Sequence, residues 1–344
     1  MTSADRIVPV DSAMGTLPIF RPLAKSSSRA KLELTQTVGE VQLTWRGPNQ
    51  LSIPDQSVLL AAMACAKGCE VLEEQRAEPA AGQMALALLE PTGHRFQTAS
   101  VWIPTTFRML SRHCAASGHA GPNTSQVKAS LKRLTETTIW MRSGDREGST
   151  RLLAWSYSQA DSVLLTLNWR LVDALCGRRY SRINLHHRGL LATDVAKALH
   201  FSLSCQIGPG GSWAYKLDNL QRHVWGDQAE GEALRQRRTK LRKALEALAG
   251  LPTWSTSWND NVVTIKHERT ARPRVETSKT KTVASYRSRR VESVTVRSNE
   301  SPSASNRFHS QTEKASVHEG LAYEDVSALF NTKAGGDGHQ PPPP

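Results

Sequence analysis

The sequence predicts an α+β, mainly helical fold, and three observations predict it. One order of elements (helix, strand, helix, longer helix, hairpin) is legible twice before residue 268. The composition changes sharply near that residue. The formal net charge of the 344-residue chain is +13, and its densest basic cluster falls on the longer helix of the second copy. Together these give two tandem winged helix-turn-helix domains with a disordered basic C-terminal tail. The expected boundaries are 1–16 for a flexible N-terminus, 17–172 and 173–268 for the two domains, and 269–344 for the tail.

In the first copy, "IPDQSVLLAAMACAKG" (53–68) is an apolar helix and "SVWIP" (100–104) a short strand. "TTFRMLSRHCAAS" (105–117) is the next helix, and "NTSQVKASLKRLTET" (123–137) the longer one, with Val127, Leu131 and Leu134 on its apolar side. "TTIWMRSGDREGSTRLLAWSY" (137–157) follows as a hairpin. In the second copy, "ATDVAKALHFSLSCQI" (192–207) sets Val195, Ala198, Leu199 and Leu203 at helical spacing. The Gly-Pro-Gly-Gly run at 208–211 must turn, "SWAYKL" (212–217) is a short strand, and "DNLQRHVWG" (218–226) is a short helix stopped by Gly226. After a long basic helix, "PTWSTSWNDNVVTIKH" (252–267) alternates on both sides of Asn259-Asp260-Asn261, which signals a hairpin.

The basic helix, "GEALRQRRTKLRKALEALAG" (231–250), places six basic side chains in nine positions. Leu234, Leu241, Leu245 and Leu248 share one narrow sector of the helix, which can pack on the two preceding helices. Arg235, Lys240, Arg242 and Lys243 spread over the remaining surface, and Arg237 and Arg238 flank the stripe. Asp227 with Glu230 has the spacing of a capping box. Acidic partners one turn away are scarce, and unpaired like charges destabilise a helix. A polyanion that relieves the repulsion accounts for the cluster, and a helix of this kind is wide enough for a major groove. In the first copy, Lys128, Lys132 and Arg133 lie off the apolar side, with Ser125 and Gln126 near the helix start. That helix is either a second groove reader or a plain amphipathic helix. Trp140, Trp155, Trp254 and Trp258 sit on the hairpins, where core packing is favoured over stacking on unpaired bases.

Several function classes are excluded. There is no Gly-x4-Gly-Lys-Ser/Thr loop for ATP, and His186-His187 are adjacent, so on a strand they would face opposite sides and share a metal poorly. Tyrosines number five, none in a helical pair, and no nucleophile triad or carboxylate pair stands out. The expectation is a binder with no catalytic residues, no metal and no cofactor. The five cysteines lack paired spacing and read as buried reduced thiols. No apolar run reaches the roughly 18–20 residues of a membrane span, and the first residues lack a secretion signal, so a cytoplasmic location is expected. The tail is rich in Ser, Thr, Arg and Lys and ends in "GGDGHQPPPP". Its basic beginning either adds non-specific phosphate contacts or is a solvated linker. "YEDVSALFNTK" (323–333) is an apolar island in it, and Leu329 and Phe330 would anchor a docking partner, with a faint resemblance to a sliding-clamp peptide.

With these segments laid out, the chain resembles the replication initiators of IncQ-type plasmids, the RepC family. The resemblance runs over roughly residues 17–268, through "LPIFRPLAKSSSRAKLEL" (17–34) and "GPNQLSIPDQSVLLAAMACAKG" (47–68). It continues through "YSRINLHHRGLLATDVAKALHFSLSCQI" (180–207), "LDNLQRHVWG" (217–226) and "RQRRTKLRKALEALAGL" (235–251). It implies a protein that binds direct repeats (iterons) in origin duplex DNA and promotes melting beside them, so that a plasmid helicase and primase are loaded. Carried over, Arg235, Arg237, Arg238, Lys240, Arg242 and Lys243 would read the major groove, and Lys128, Lys132 and Arg133 a second segment. The alternative reading of the same helices is a winged-helix transcriptional repressor. The sequence departs from the family pattern over 73–99 and in the tail.

Overall fold

Helical spacing and strand alternation become eight α-helices and sixteen strands among the described residues. The computed structural model describes residues 7–24, 28–66, 69, 71–72, 89, 92–93, 100–115, 121–157, 161–177 and 180–269. The tail and its Leu329–Phe330 pair therefore lie outside the described residues. Residues 1–276 cluster as one unit.

Part of the stretch expected to be a flexible N-terminus is instead structural. Residues Ile7–Asp11 form β1, antiparallel to β13 (Tyr180–Asn184), with Ile7 opposite Asn184. Val8 and Val10 alternate into the core, which gives this short strand its apolar face. Asp11 is buried and accepts a 2.6 Å hydrogen bond from Arg170 Nε. A 3-10 turn, Ser12–Gly15, then packs on α6 (Asp194–Gln206). The approach is close enough to demand glycine: a Cβ on Gly15 would lie 2.1 Å from Cβ of Cys205. Ser202 Oγ donates to the Gly15 carbonyl at 2.7 Å.

β2 (Phe20–Arg21) pairs in parallel with β5 (Leu51–Ser52). Between them, β3 (Leu32–Val38) and β4 (Val41–Gly47) form a hairpin that turns at Gly39, φ +62°. α1 (Ile53–Cys65) starts from a capping box of Ser52 and Asp55, with Pro54 in its first turn. After β6 (Val71–Leu72) and β7 (Thr92–Gly93) come β8 (Ser100–Thr106), α2 (Phe107–Cys114) and α3 (Thr124–Thr135). Val127, Leu131 and Leu134 of α3 are buried.

The hairpin of the first copy forms as β9 (Thr138–Ser143) and β10 (Arg146–Arg151), but its sheet differs from that of the second copy. It joins the order β3-β4-β9-β10-β7, while β8 pairs with β12 (Ser162–Leu167) in the order β11-β12-β8-β6. The cause lies in β12, whose "SVLLTL" buries Val163, Leu165, Thr166 and Leu167 and therefore sits between β11 (Leu153–Tyr157) and β8. α4 (Trp169–Leu175) then leads to β13 and the short helix α5 (Leu185–Leu190). His186 and His187 are thus helical rather than on a strand.

The second copy runs α6, β14 (Ser212–Lys216), α7 (Leu217–Trp225), α8 (Gly231–Ala249), β15 (Trp254–Asn259) and β16 (Val262–His267). Its sheet order is β14-β16-β15. Gly226 ends α7 in the left-handed region, φ +85°. The hairpin turns at Asp260-Asn261, with Asn259 opposite Val262. α8 packs on α6, α7 and β15 through Leu241, Ala244, Leu245 and Leu248.

Candidate nucleic-acid interface

α8 divides into two parts. From Gly231 to Lys240 no side chain is buried, and from Leu241 onward the apolar stripe is in the core. Leu234, at the start of the stripe, is only half-buried. The first three turns therefore overhang the body. A buried 19-residue helix would need an apolar side along its whole length.

The expected capping box at Asp227 and Glu230 is not what forms. The N-cap is Glu230, with no side-chain capping bond, and Asp227 instead takes Arg237. Arg237 NH1 bonds the Asp227 carboxylate at 3.0 Å, and its guanidinium lies 4.9 Å from the Trp225 ring centroid. Arg238 makes a bidentate pair with Asp218, through Nε at 2.7 Å and NH2 at 2.6 Å. That hydrogen bond, opposed in part by burial, holds the Asp218 carboxyl below the usual carboxylate range. Arg235 lies 3.7 Å from Glu232. The expectation that the cluster lacks acidic partners thus fails for its first three arginines. Arg237 and Arg238 flank the apolar stripe, so they face α7 and the connection that follows it. There they tie α8 to α7 and to the connection that follows it.

The rest of the cluster keeps its charge outward. Lys240, Arg242 and Lys243 are exposed, with no ion pair among the described residues. Gln236 and Thr239 share their exposed side. Sequence reasoning passed over these two, and the legible signal was their place opposite the leucine stripe. The adjacent hairpin contributes exposed Trp258 near its tip, while Trp254 is buried and stacked on His267 at 4.2 Å.

In the first copy, Arg133 is withdrawn from any such surface. Its guanidinium bonds buried Asp55 through NH2 at 2.6 Å and Nε at 3.1 Å. Asp55 also binds Arg29 at 2.8 Å and the Ser52 N–H at 2.8 Å. Burial acts to raise the Asp55 carboxyl, yet hydrogen bonds from Arg133 and Ser52 hold it below the usual range. Lys128 is half-buried, with its ammonium 4.3 Å from the Tyr157 ring and 4.8 Å from Phe107. Lys132 is exposed and unpaired among the described residues. Gln126 closes a capping box with Asn123, and Ser125 Oγ also bonds Asn123 Oδ1, at 2.7 Å. The open face of the β3-β4-β9-β10 sheet adds exposed Trp140 with the Arg46 guanidinium 5.4 Å away, and exposed Arg142 one pleat on. The alternation of β9 carried that signal.

Among the described residues no group of three or more His, Cys, Asp or Glu could hold a metal ion, and no helix is long and apolar enough to cross a membrane. The family profile of replication protein C (RepC) matches residues 10–272. The chain belongs to the RepC family, the plasmid replication initiators whose segments it resembles. No curated protein matches it. Two crystal structures of domains 2 and 3 of RctB are similar in outline. One aligns at TM-score 0.45 and 9% identity over 76% of this chain and 99% of that one. The other aligns at TM-score 0.41 and 9% identity over 75% and 96%.

Proposed function

We propose that the chain binds direct repeats in a plasmid origin as duplex DNA and promotes local melting beside them for helicase loading. In this reading β14, α7, α8 and the β15–β16 hairpin are one winged helix-turn-helix module. The overhang of α8 enters a major groove, and the hairpin lies along the adjacent backbone. Lys240, Arg242 and Lys243 meet phosphates, and Gln236, Thr239 and Arg235 reach toward base edges. Arg237 and Arg238 work indirectly, by holding the helix at its docking angle through Asp227 and Asp218. α2, α3 and the β9–β10 hairpin form the second module, with Lys132 as its phosphate contact. The protein opens DNA with binding energy: contact energy offsets the unstacking of an adjacent A+T-rich segment. A plasmid helicase and primase then act on the opened strands.

The observation that carries this reading is the α8 overhang, which buries no side chain from Gly231 to Lys240 and is cationic on the side away from the body. Permanganate footprinting on a supercoiled origin tests it. New thymine reactivity next to protected repeats is the expected result. Protection without reactivity supports a transcriptional repressor instead, and no protection at all removes the reading.

A further inference from the structure

A cavity of about 560 Å3 opens between α1, the end of α2, α3 and the α5–α6 connection. No residue proposed to contact DNA lies in it; Arg133, also in its wall, is held by Asp55, which it shares with Arg29. Much of its wall is apolar, with Pro54 and Val58 on one side and Leu190 and Leu191 on another. One pole is cationic, formed by Arg188 and Lys197.

Arg188 is the unusual group. It is 4% exposed, yet no carboxylate among the described residues lies within ion-pair distance. Its guanidinium donates to the Lys197 carbonyl at 2.7 Å and to Ser57 Oγ at 3.4 Å, the latter a weak bond. A guanidinium carries five N–H donors, so most of its capacity is left over. Burial pushes its pKa down to about 10, against the more distant opposing charge of Asp194. Lys197 is lowered as well, by burial and then by the charge of Arg188, with Asp194 again acting against the shift. Cys114 and His113 also line the cavity, and neither supplies a negative charge: burial raises the Cys114 thiol to about 12 and lowers His113. A buried guanidinium with a half-buried ammonium beside it, and Asp194 opposing them only from beyond ion-pair distance, is costly, and proteins keep such groups where an anion arrives to pair with them.

We propose that this cavity binds a small phosphate monoester, its phosphate on Arg188 and Lys197 and its apolar body against Pro54, Val58 and Leu190. A carboxylate would bring one charge, whereas a phosphate monoester brings nearly two at neutral pH, which matches the pair. The guanidinium fork takes two phosphate oxygens and the ammonium a third. Ser57 and Gln126 offer further polar groups at the wall. The volume falls within the range of sites for small organic ligands, roughly 300–1,000 Å3.

Calorimetric titration of the full chain at fixed ionic strength tests this, with phenyl phosphate and adenosine 5′-monophosphate as probes and inorganic phosphate as the control. At least one ester should saturate at one per chain and bind more than about tenfold tighter than inorganic phosphate. Lys197→Gln changes a half-buried side chain, and Ala129→Trp plugs the mouth from the exposed side of α3, so both should retain the wild-type circular-dichroism melt. Each should weaken the ester by about tenfold or more. The proposal is overturned if neither ester saturates, if inorganic phosphate binds as tightly, or if both folded variants keep full affinity. Displacement of the ester by random-sequence duplex, at one phosphate site per chain, would likewise overturn it in favour of a DNA-backbone contact.

Discussion

Arg238 and Lys243 are both basic residues of α8, and the structure gives them opposite roles. Arg238 spends the Nε–NH2 edge of its guanidinium on Asp218, whereas Lys243 points away from the body with no partner among the described residues. Each phosphate that a cation neutralises contributes about 0.9 to the slope of log affinity against log salt. Four outward cations, Lys132, Lys240, Arg242 and Lys243, together account for a slope of about 3.6 if all meet the backbone. Lys243→Gln should therefore flatten the slope by about 0.9 on repeat and random duplex alike. Arg238→Gln should leave the slope as it is while lowering the unfolding midpoint, because it removes a helix–helix tie and no phosphate contact. Fluorescence anisotropy from 50 to 250 mM salt, together with thermal melts, measures both. If Arg238→Gln flattens the slope as much as Lys243→Gln does, the arginine leaves Asp218 for DNA and the division of α8 drawn above is wrong.

Other expected outcomes concern stability and reactivity. Asp55→Ala strands Arg133 and Arg29 beside the core and removes the α1 cap, so it should cost about 3–5 kcal/mol in denaturant unfolding; a loss under 1 kcal/mol would show that the cluster is solvated. Gly15→Ala, with its Cβ forced onto Cys205, should destabilise by about 1–3 kcal/mol or more, and a wild-type urea midpoint would contradict the close approach. Burial holds His187, His200, His223 and His267 below the usual imidazole value, with nearby positive charges adding to the effect on His187 and His200. Bases lowered in the fold are charged first in the unfolded chain. Their contribution is thus complete above about pH 6.5 and is lost as pH falls toward the folded values. Urea midpoints at pH 7.5, 6.5 and 5.5 should descend in that order, and a flat series would count against buried neutral histidines. Among the cysteines, Cys176 is exposed while burial pushes Cys114 and Cys205 to about 12. Brief treatment with a thiol reagent under native conditions should modify Cys176 first; early labelling of Cys205 would be inconsistent with its packing against Gly15.

What could be read in advance was whatever repeats along one element. The leucine stripe of α8, the capping residues around Asn123, the stop at Gly226 and the turn after Asn259 each depend on neighbours a few positions away. The β3–β4 hairpin is equally legible, with Leu32, Leu34, Val41, Leu43 and Trp45 alternating about Gly39. The carboxylate partners of α8 were not legible in the same way. Asp218 precedes Arg238 by twenty positions and faces it only after α7 has turned back on α8. A search for acids one turn away on the same helix cannot find such a pair. The pairing of β8 with β12, sixty positions apart, is likewise a contest among strands that only the assembled core decides.

The partnership of β1 with β13 bears on how the chain comes off the ribosome. The first strand emerges early and waits until residues 180–184 have been translated before its edge is covered. Until then Val8 and Val10 have no sheet to join, and Asp11 has no guanidinium until Arg170 arrives. Nascent fragments that stop short of this point should be soft targets for proteases, and gene fragments divided near residue 173 should yield two incomplete pieces.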